Sequence, residues 1–95
     1  MSDDKQIERR AEFHRALANP VRLQIADFLF DGEQCQCDIF PKFGLAQSTV
    51  SAYLTQMVRA GVLKVRKDGT RKLYRIANPD VKKIIQKIRS MNTGV

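Results

Sequence analysis

No apolar run in this chain approaches the ~18 residues that a membrane-spanning helix needs, so a transmembrane helix is excluded. Cysteine is scarce: the chain has two. Cys35 and Cys37 are too few and too close together for a secreted disulfide framework. In a reducing compartment such a pair suggests metal or redox chemistry. The opening Met-Ser-Asp-Asp-Lys is polar and acidic, unlike a secretion signal, and a cytoplasmic protein is expected. There is no Ser/His/Asp constellation, no glycine-rich phosphate loop and no C-x-x-C motif at a helix start, so no enzymatic activity is expected. With no internal repeat, low-complexity segment or linker, residues 1–95 read as one domain.

What is present is a small globular chain, 43% hydrophobic and 28% charged. A core this size is often supplemented by a second subunit. The charge is unevenly placed. Residues 1–45 carry six Lys/Arg against eight Asp/Glu, whereas residues 46–95 carry eleven against two. A half that basic attracts a polyanion.

Helical spacing begins at once, with Ile7, Ala11, His14 and Ala18 on one stripe and Phe13 and Leu17 beside it. Asn19-Pro20 ends this helix and caps the next, which runs to Asp31-Gly32. A short third helix is expected over roughly Gln34–Phe40, then a turn over Pro41–Gly44, then a fourth helix from about Gln47 to Ala60 stopped by Gly61. Val62–Arg66 and Lys72–Ile76 are β-rich, and Asp68-Gly69 between them signals a hairpin. Asn78-Pro79 opens a last helix carrying Val81, Ile84, Ile85, Ile88 and Met91 on one face. The expected fold is mainly α with a small β-hairpin, in the order α-α-α-α-β-β-α: a winged helix-turn-helix. The helix-turn-helix covers about 34–60 and the wing about 62–76.

The fourth helix would pack Val50, Leu54, Met57 and Val58 inward. It would turn Gln47, Ser48, Ser51, Ala52 and Thr55 outward, small or hydrogen-bonding groups suited to base edges in a major groove. Tyr53 could reach the DNA backbone through its hydroxyl. The hairpin carries Lys64, Arg66, Lys67, Arg71, Lys72 and Arg75 against one acid, Asp68. Lys67 and Arg71 flank the turn and, with Lys72, are the expected phosphate or minor-groove contacts.

The segments Ala16–Ile25, Gln47–Leu54, Arg59–Leu63 and Gly69–Ile76 together resemble the ArsR/SmtB metalloregulatory repressors over roughly residues 10–90. The resemblance adds Thr49 to the DNA-reading set. It implies a homodimer bound to double-stranded operator DNA and released by an inducer. The dimer would be built from the first and last helices, about 5–18 and 79–91, with Ile7, Phe13, Leu17, Ile84, Ile85 and Ile88 at the interface. Independently, an isoleucine-rich face on so small a domain wants a covering surface, from a partner or from its own chain.

Glu33–Ile39 resembles the metal box of some family members, with Cys35 and Cys37 as ligands and Asp38 as a box residue. The third cysteine of arsenic sensors is here Phe40. As(III), Cd(II), Zn(II) or another thiophilic ion is a candidate inducer, but two thiolates complete neither a tetrahedral zinc site nor a three-sulfur arsenite site. His14 or Asp38 could supply more ligands, as could a second subunit. On a regular helix, residues two apart point about 200° apart. Binding would therefore have to unwind the segment and so move the recognition helix. Oxidation of the thiols is a metal-free variant, with an intrachain disulfide ranked below an intermolecular or mixed one. Two alternatives stay open: a winged-helix regulator without metal or redox input, and, in a different class, a thiol redox protein.

Overall fold

The computed structural model describes residues 2–91. Helix α1 (Ser2–Ala16) is followed by α2 (Pro20–Phe28), strand β1 (Gln34–Cys35) and the single turn of α3 (Gln36–Ile39). A 3-10 turn over Phe40–Phe43 leads to α4 (Gln47–Arg59), the hairpin strands β2 (Leu63–Asp68) and β3 (Arg71–Ile76), and α5 (Pro79–Ser90).

The helix boundaries follow from local chemistry. The Asn19 side chain accepts hydrogen bonds from the backbone N–H groups of Val21 (2.8 Å) and Arg22 (3.1 Å). Asn78 does the same for Val81 (2.9 Å). In both helices proline takes the first position, where its missing N–H costs nothing. Helix α4 ends at Gly61, whose φ of +85° turns the chain back. Val62 N–H then bonds Met57 C=O and Gly61 N–H bonds Val58 C=O, the paired bonds of a Schellman motif.

The sheet has three antiparallel strands in the order β1-β3-β2. The hairpin register runs from Leu63 opposite Ile76 to Asp68 opposite Arg71. The two-residue loop is therefore Gly69-Thr70. Only Gly69 has a positive φ, +65°, which fits a turn of the II′ kind. The third strand corrects the sequence reading of a helix over Gln34–Phe40. Its first two residues are extended and pair with the outer edge of the hairpin, Gln34 with Tyr74 and Cys35 with Leu73. A strand of two residues has no periodicity to betray it.

The core lies between α2, α4, α5 and the hairpin. Ile25, Leu29, Ile39, Val50, Leu54, Met57, Val62 and Leu63 are its most completely buried large side chains. Among the described residues no polar or charged side chain is buried. The cost of burying unpaired polar groups is thus avoided. On α5, Val81 and Ile85 join this core, while Ile84 and Ile88 stay about half exposed. Ile85 is thus withdrawn from the expected interface set, because its own chain covers it (3% exposed). Leu17 is likewise a core residue and Phe13 is partly packed on the core, whereas Ile7 remains outside it.

Candidate functional site

Helix α4 is a ridge between two open grooves. One, of about 610 Å³, is walled by Glu12 and Arg15 of α1 and by Ser48, Ser51, Ala52, Thr55, Gln56 and Arg59 of α4. The other, about 520 Å³, lies between α4 and the hairpin and is lined by Thr55, Val58, Arg59, Val65, Lys67, Lys72 and Tyr74, with Arg66 also at its border. Thr55 and Arg59 border both. Gln47, Ser48, Ser51, Ala52 and Thr55 are all exposed, and Thr49 is half-buried. The helix starts at Ala46, with no side chain capping its first N–H groups. Their partial positive charge therefore faces outward.

Tyr53, expected to reach DNA through its hydroxyl, also has a packing role. Its ring is partly buried against the core, and the Arg22 guanidinium lies 5.0 Å above it. Arg22 also donates from Nε to the Ala16 carbonyl (2.8 Å) and from Nη2 to the Arg15 carbonyl (3.0 Å). It thereby satisfies the last turn of α1 while stacking on α4. The ring therefore positions the recognition helix. No spacing rule could have paired Arg22 with Tyr53, because that contact exists only once α2 crosses α4.

The pleat sorts the wing's charges by face. On the face turned toward α4, Lys67 stands directly opposite Lys72. Like charges in that arrangement repel unless an anion lies between them. Tyr74 completes the floor, and burial pushes its phenol pKa up, so it stays a neutral hydroxyl. On the outer face, Arg66 donates from Nε and Nη2 to the Glu33 carboxylate at 2.9 and 2.8 Å. Arg71 approaches Asp68 at 3.4 Å. Arg71 is therefore separated from Lys67 and Lys72, the groups with which it was expected to act. The Arg66 guanidinium holds the Glu33 carboxyl below its usual range, and the carboxylate raises Arg66 in turn. Arg15, Arg59 and Gln56 were not singled out in the sequence; Arg15 and Arg59 could have been flagged as cations beside the reading face, but only the fold shows they line grooves.

The cysteines sit at the opposite edge of the same sheet. Cys35 has extended backbone angles (φ −71°, ψ 142°) and caps α3, its Sγ accepting from the Cys37 N–H at 3.1 Å. The two Sγ atoms are joined, with the Cα atoms 5.1 Å apart, inside the usual range for a disulfide. This corrects the helical-wheel argument. Cys35 precedes the helix, so the sulfurs meet without unwinding it. Cys35 is buried (5% exposed), while Cys37 is exposed.

The donor set does not complete a metal site within one chain. Among the described residues no three His, Cys, Asp or Glu side chains converge where an ion could be held. His14 donates from Nδ1 to the Arg10 carbonyl at 2.7 Å on exposed α1. Asp38 is exposed on α3.

Residues 19–65 match the sequence profile described as bacterial regulatory protein, arsR family. An HTH-type transcriptional regulator of Methanocaldococcus jannaschii is 38% identical over 80 residues, spanning 83% of this chain and 90% of that protein. The arsenical resistance operon repressor of Staphylococcus aureus is 33% identical over 80 residues, spanning 84% of this chain and 77% of that protein. The homodimeric winged helix-turn-helix DNA-binding domain of a Mycobacterium bovis regulator superposes with a TM-score of 0.85 at 35% identity, covering 90% of this chain and 80% of that one.

Proposed function

The chain belongs to the ArsR family of bacterial regulatory proteins, and from that premise we propose that it is a homodimeric transcriptional repressor whose Cys35–Cys37 pair controls operator binding. The family is one of winged helix-turn-helix regulators and not of enzymes. The observation that carries the DNA-binding part is the Lys67–Lys72 row facing a polar α4 ridge across a groove. Two opposed cations beside a helix of small polar groups fit a sugar–phosphate backbone, with α4 lying in the adjacent major groove. Gln47, Ser48, Ser51, Ala52 and Thr55 then meet base edges. Lys67 and Lys72 then hold phosphate, with Arg59 at the rim.

The dimer follows from the apolar side chains left on α1 and α5. Ile7, Ile84, Ile88 and Met91 are each at least 40% exposed. An operator-reading dimer covers such a surface with its own copy.

For the input, the joined sulfurs favour a dithiol–disulfide change. A thiophilic metal or metalloid is the variant supported by the name of the Staphylococcus relative, and it requires donors from outside the single chain. A second reading, a regulator with no small-molecule input, is favoured by the burial of Cys35 beside Leu73. There the cysteine serves as a small apolar residue.

One experiment separates these readings. A duplex is selected from a random library by the reduced protein, and its affinity is compared with that of unselected DNA. Peroxide, arsenite, Cd(II) and Zn(II) are then added to the parent, Cys35→Ser and Cys37→Ser. The expected result is selective binding by about 10³-fold or more, release by at least one agent, and a blunted response in both variants. Equal affinity for selected and random duplexes would sink the regulator reading. An unchanged response in both variants would sink the sensor.

A further inference from the structure

A sensor at Cys35–Cys37 needs a physical path to the DNA-holding surface. One path follows the chain from α3 to α4. A second crosses the sheet, where Cys35 pairs with Leu73 and Leu73 with Arg66. The pleat places these three side chains in one row on the face away from α4. Cys35 and Leu73 are 5% and 6% exposed, yet neither belongs to the main core cluster. They form a small apolar island of their own on the outer face. Glu33, two residues before Cys35, shares that face. Its carboxylate reaches over β3 to take the Arg66 fork on β2 at 2.8 and 2.9 Å.

We infer that the Glu33–Arg66 pair couples the cysteine segment to the wing, so that the oxidation state of Cys35 and Cys37 sets the wing's position as well as that of the recognition helix. The inference rests on the sensor reading above. β1 has only two ladder pairs with β3, a weak hold by itself. A bidentate fork adds a fixed orientation to that hold, because a guanidinium and a carboxylate meet in one plane. The pair is exposed, and exposed ion pairs contribute little to stability. It can therefore shift at small cost, as a transmitting element must.

The sulfur step needs an oxidant, and a hydroperoxide supplies it. Cys37 is the exposed thiol. Its thiolate attacks the peroxide; the O–O bond breaks, leaving a sulfenic acid and, for hydrogen peroxide, hydroxide, which becomes a first water with the proton the Cys37 thiol has given up. The Cys35 thiolate then attacks the Cys37 sulfur. An S–S bond forms and hydroxide leaves, becoming the second water with the proton Cys35 has given up. Two electrons pass from the thiols to the peroxide. The new bond pins the first turn of α3 to β1, and the change at β1 passes through Glu33 to β2, whose inner face carries Lys67.

The test uses the full chain and a duplex selected by the reduced parent. Dissociation constants are measured in dithiothreitol and after hydrogen peroxide for the parent, Glu33→Gln and the charge swap Glu33→Arg/Arg66→Glu. Amide hydrogen exchange of residues 63–76 is followed in both states. The parent should bind about tenfold more weakly when oxidised, with altered exchange in the hairpin. Glu33→Gln should keep its reduced-state affinity, lose the redox ratio to about twofold or less, and confine the exchange change to the cysteine segment. The swap should regain most of the ratio. A parent that binds equally in both states overturns the redox form of the sensor reading and this inference together. A Glu33→Gln protein that keeps the full ratio and the hairpin exchange change overturns the coupling alone.

Discussion

The two faces of the wing differ in whether carboxylates of the chain meet their cations. On the face toward α4, Lys67 and Lys72 oppose each other with no acid between them. On the outer face, Arg66 is matched by Glu33 and Arg71 lies near Asp68, while Lys64 stands opposite Arg75 nearer the base of the hairpin. A charge matched inside the chain is already occupied, whereas an opposed pair of exposed cations beside a groove repels and favours an anion between them. The inner face is thus the surface we propose for DNA. The outer face carries the proposed coupling pair, and Cys35 and Leu73 are buried there outside the main core cluster.

Two substitutions test that division hardest. Leu73→Ala empties the outer island and should destabilise the reduced protein by about 2–4 kcal/mol in urea unfolding at fixed protein concentration. Val65→Ala, on the inner face at 41% exposure, should cost about 0.5 kcal/mol or less. Equal losses would mean that the outer face has no core of its own. A smaller effect separates the charges. Lys67→Ala/Lys72→Ala should lower the log–log salt slope of operator binding by about 1.8, at about 0.9 per phosphate contact. Arg71→Ala should leave that slope unchanged. If Arg71→Ala flattens it as much as either lysine does, the sorting by face is wrong.

These contrasts show which parts of the molecule could be read from its sequence. Asn19-Pro20, Asn78-Pro79 and Gly61 mark helix ends through short-range chemistry, and the structure uses each of them so. The inward face of α4 was legible because Val50, Leu54 and Met57 follow helical spacing. Strand β1 was not legible, since two residues carry no period and its partner lies 38 positions away at Leu73. The meeting of the cysteine sulfurs was hidden for the same reason: the wheel argument presumes a helix that begins two residues too early. Ile85 and Ile84 are neighbours in sequence with opposite fates, and only the placement of α5 on the core decides which faces out. Arg66 read as one more wing cation, because a side-chain pair 33 residues apart leaves no trace in composition.

The subtlest expected effect concerns the titration of that same pair. The hydrogen bond and charge of Arg66 hold the Glu33 carboxyl below 4.5. For a carboxylate depressed on folding, the contribution to the folded arrangement is complete above the unfolded value. It is lost as pH falls through the lower folded value. The link between β1 and the wing should therefore be constant across neutral pH and fail only in acid, below 4.5. A carboxyl-detected NMR titration of Glu33 should place its midpoint below that value in the parent and return it upward in Arg66→Gln. The inner face has no carboxylate opposite Lys67 and Lys72, so it holds no cross-strand ion pair to lose in acid. A Glu33 midpoint that ignores Arg66→Gln would show that the fork is not maintained in solution, and the distinction between occupied and available cations on the wing would lose its strongest member.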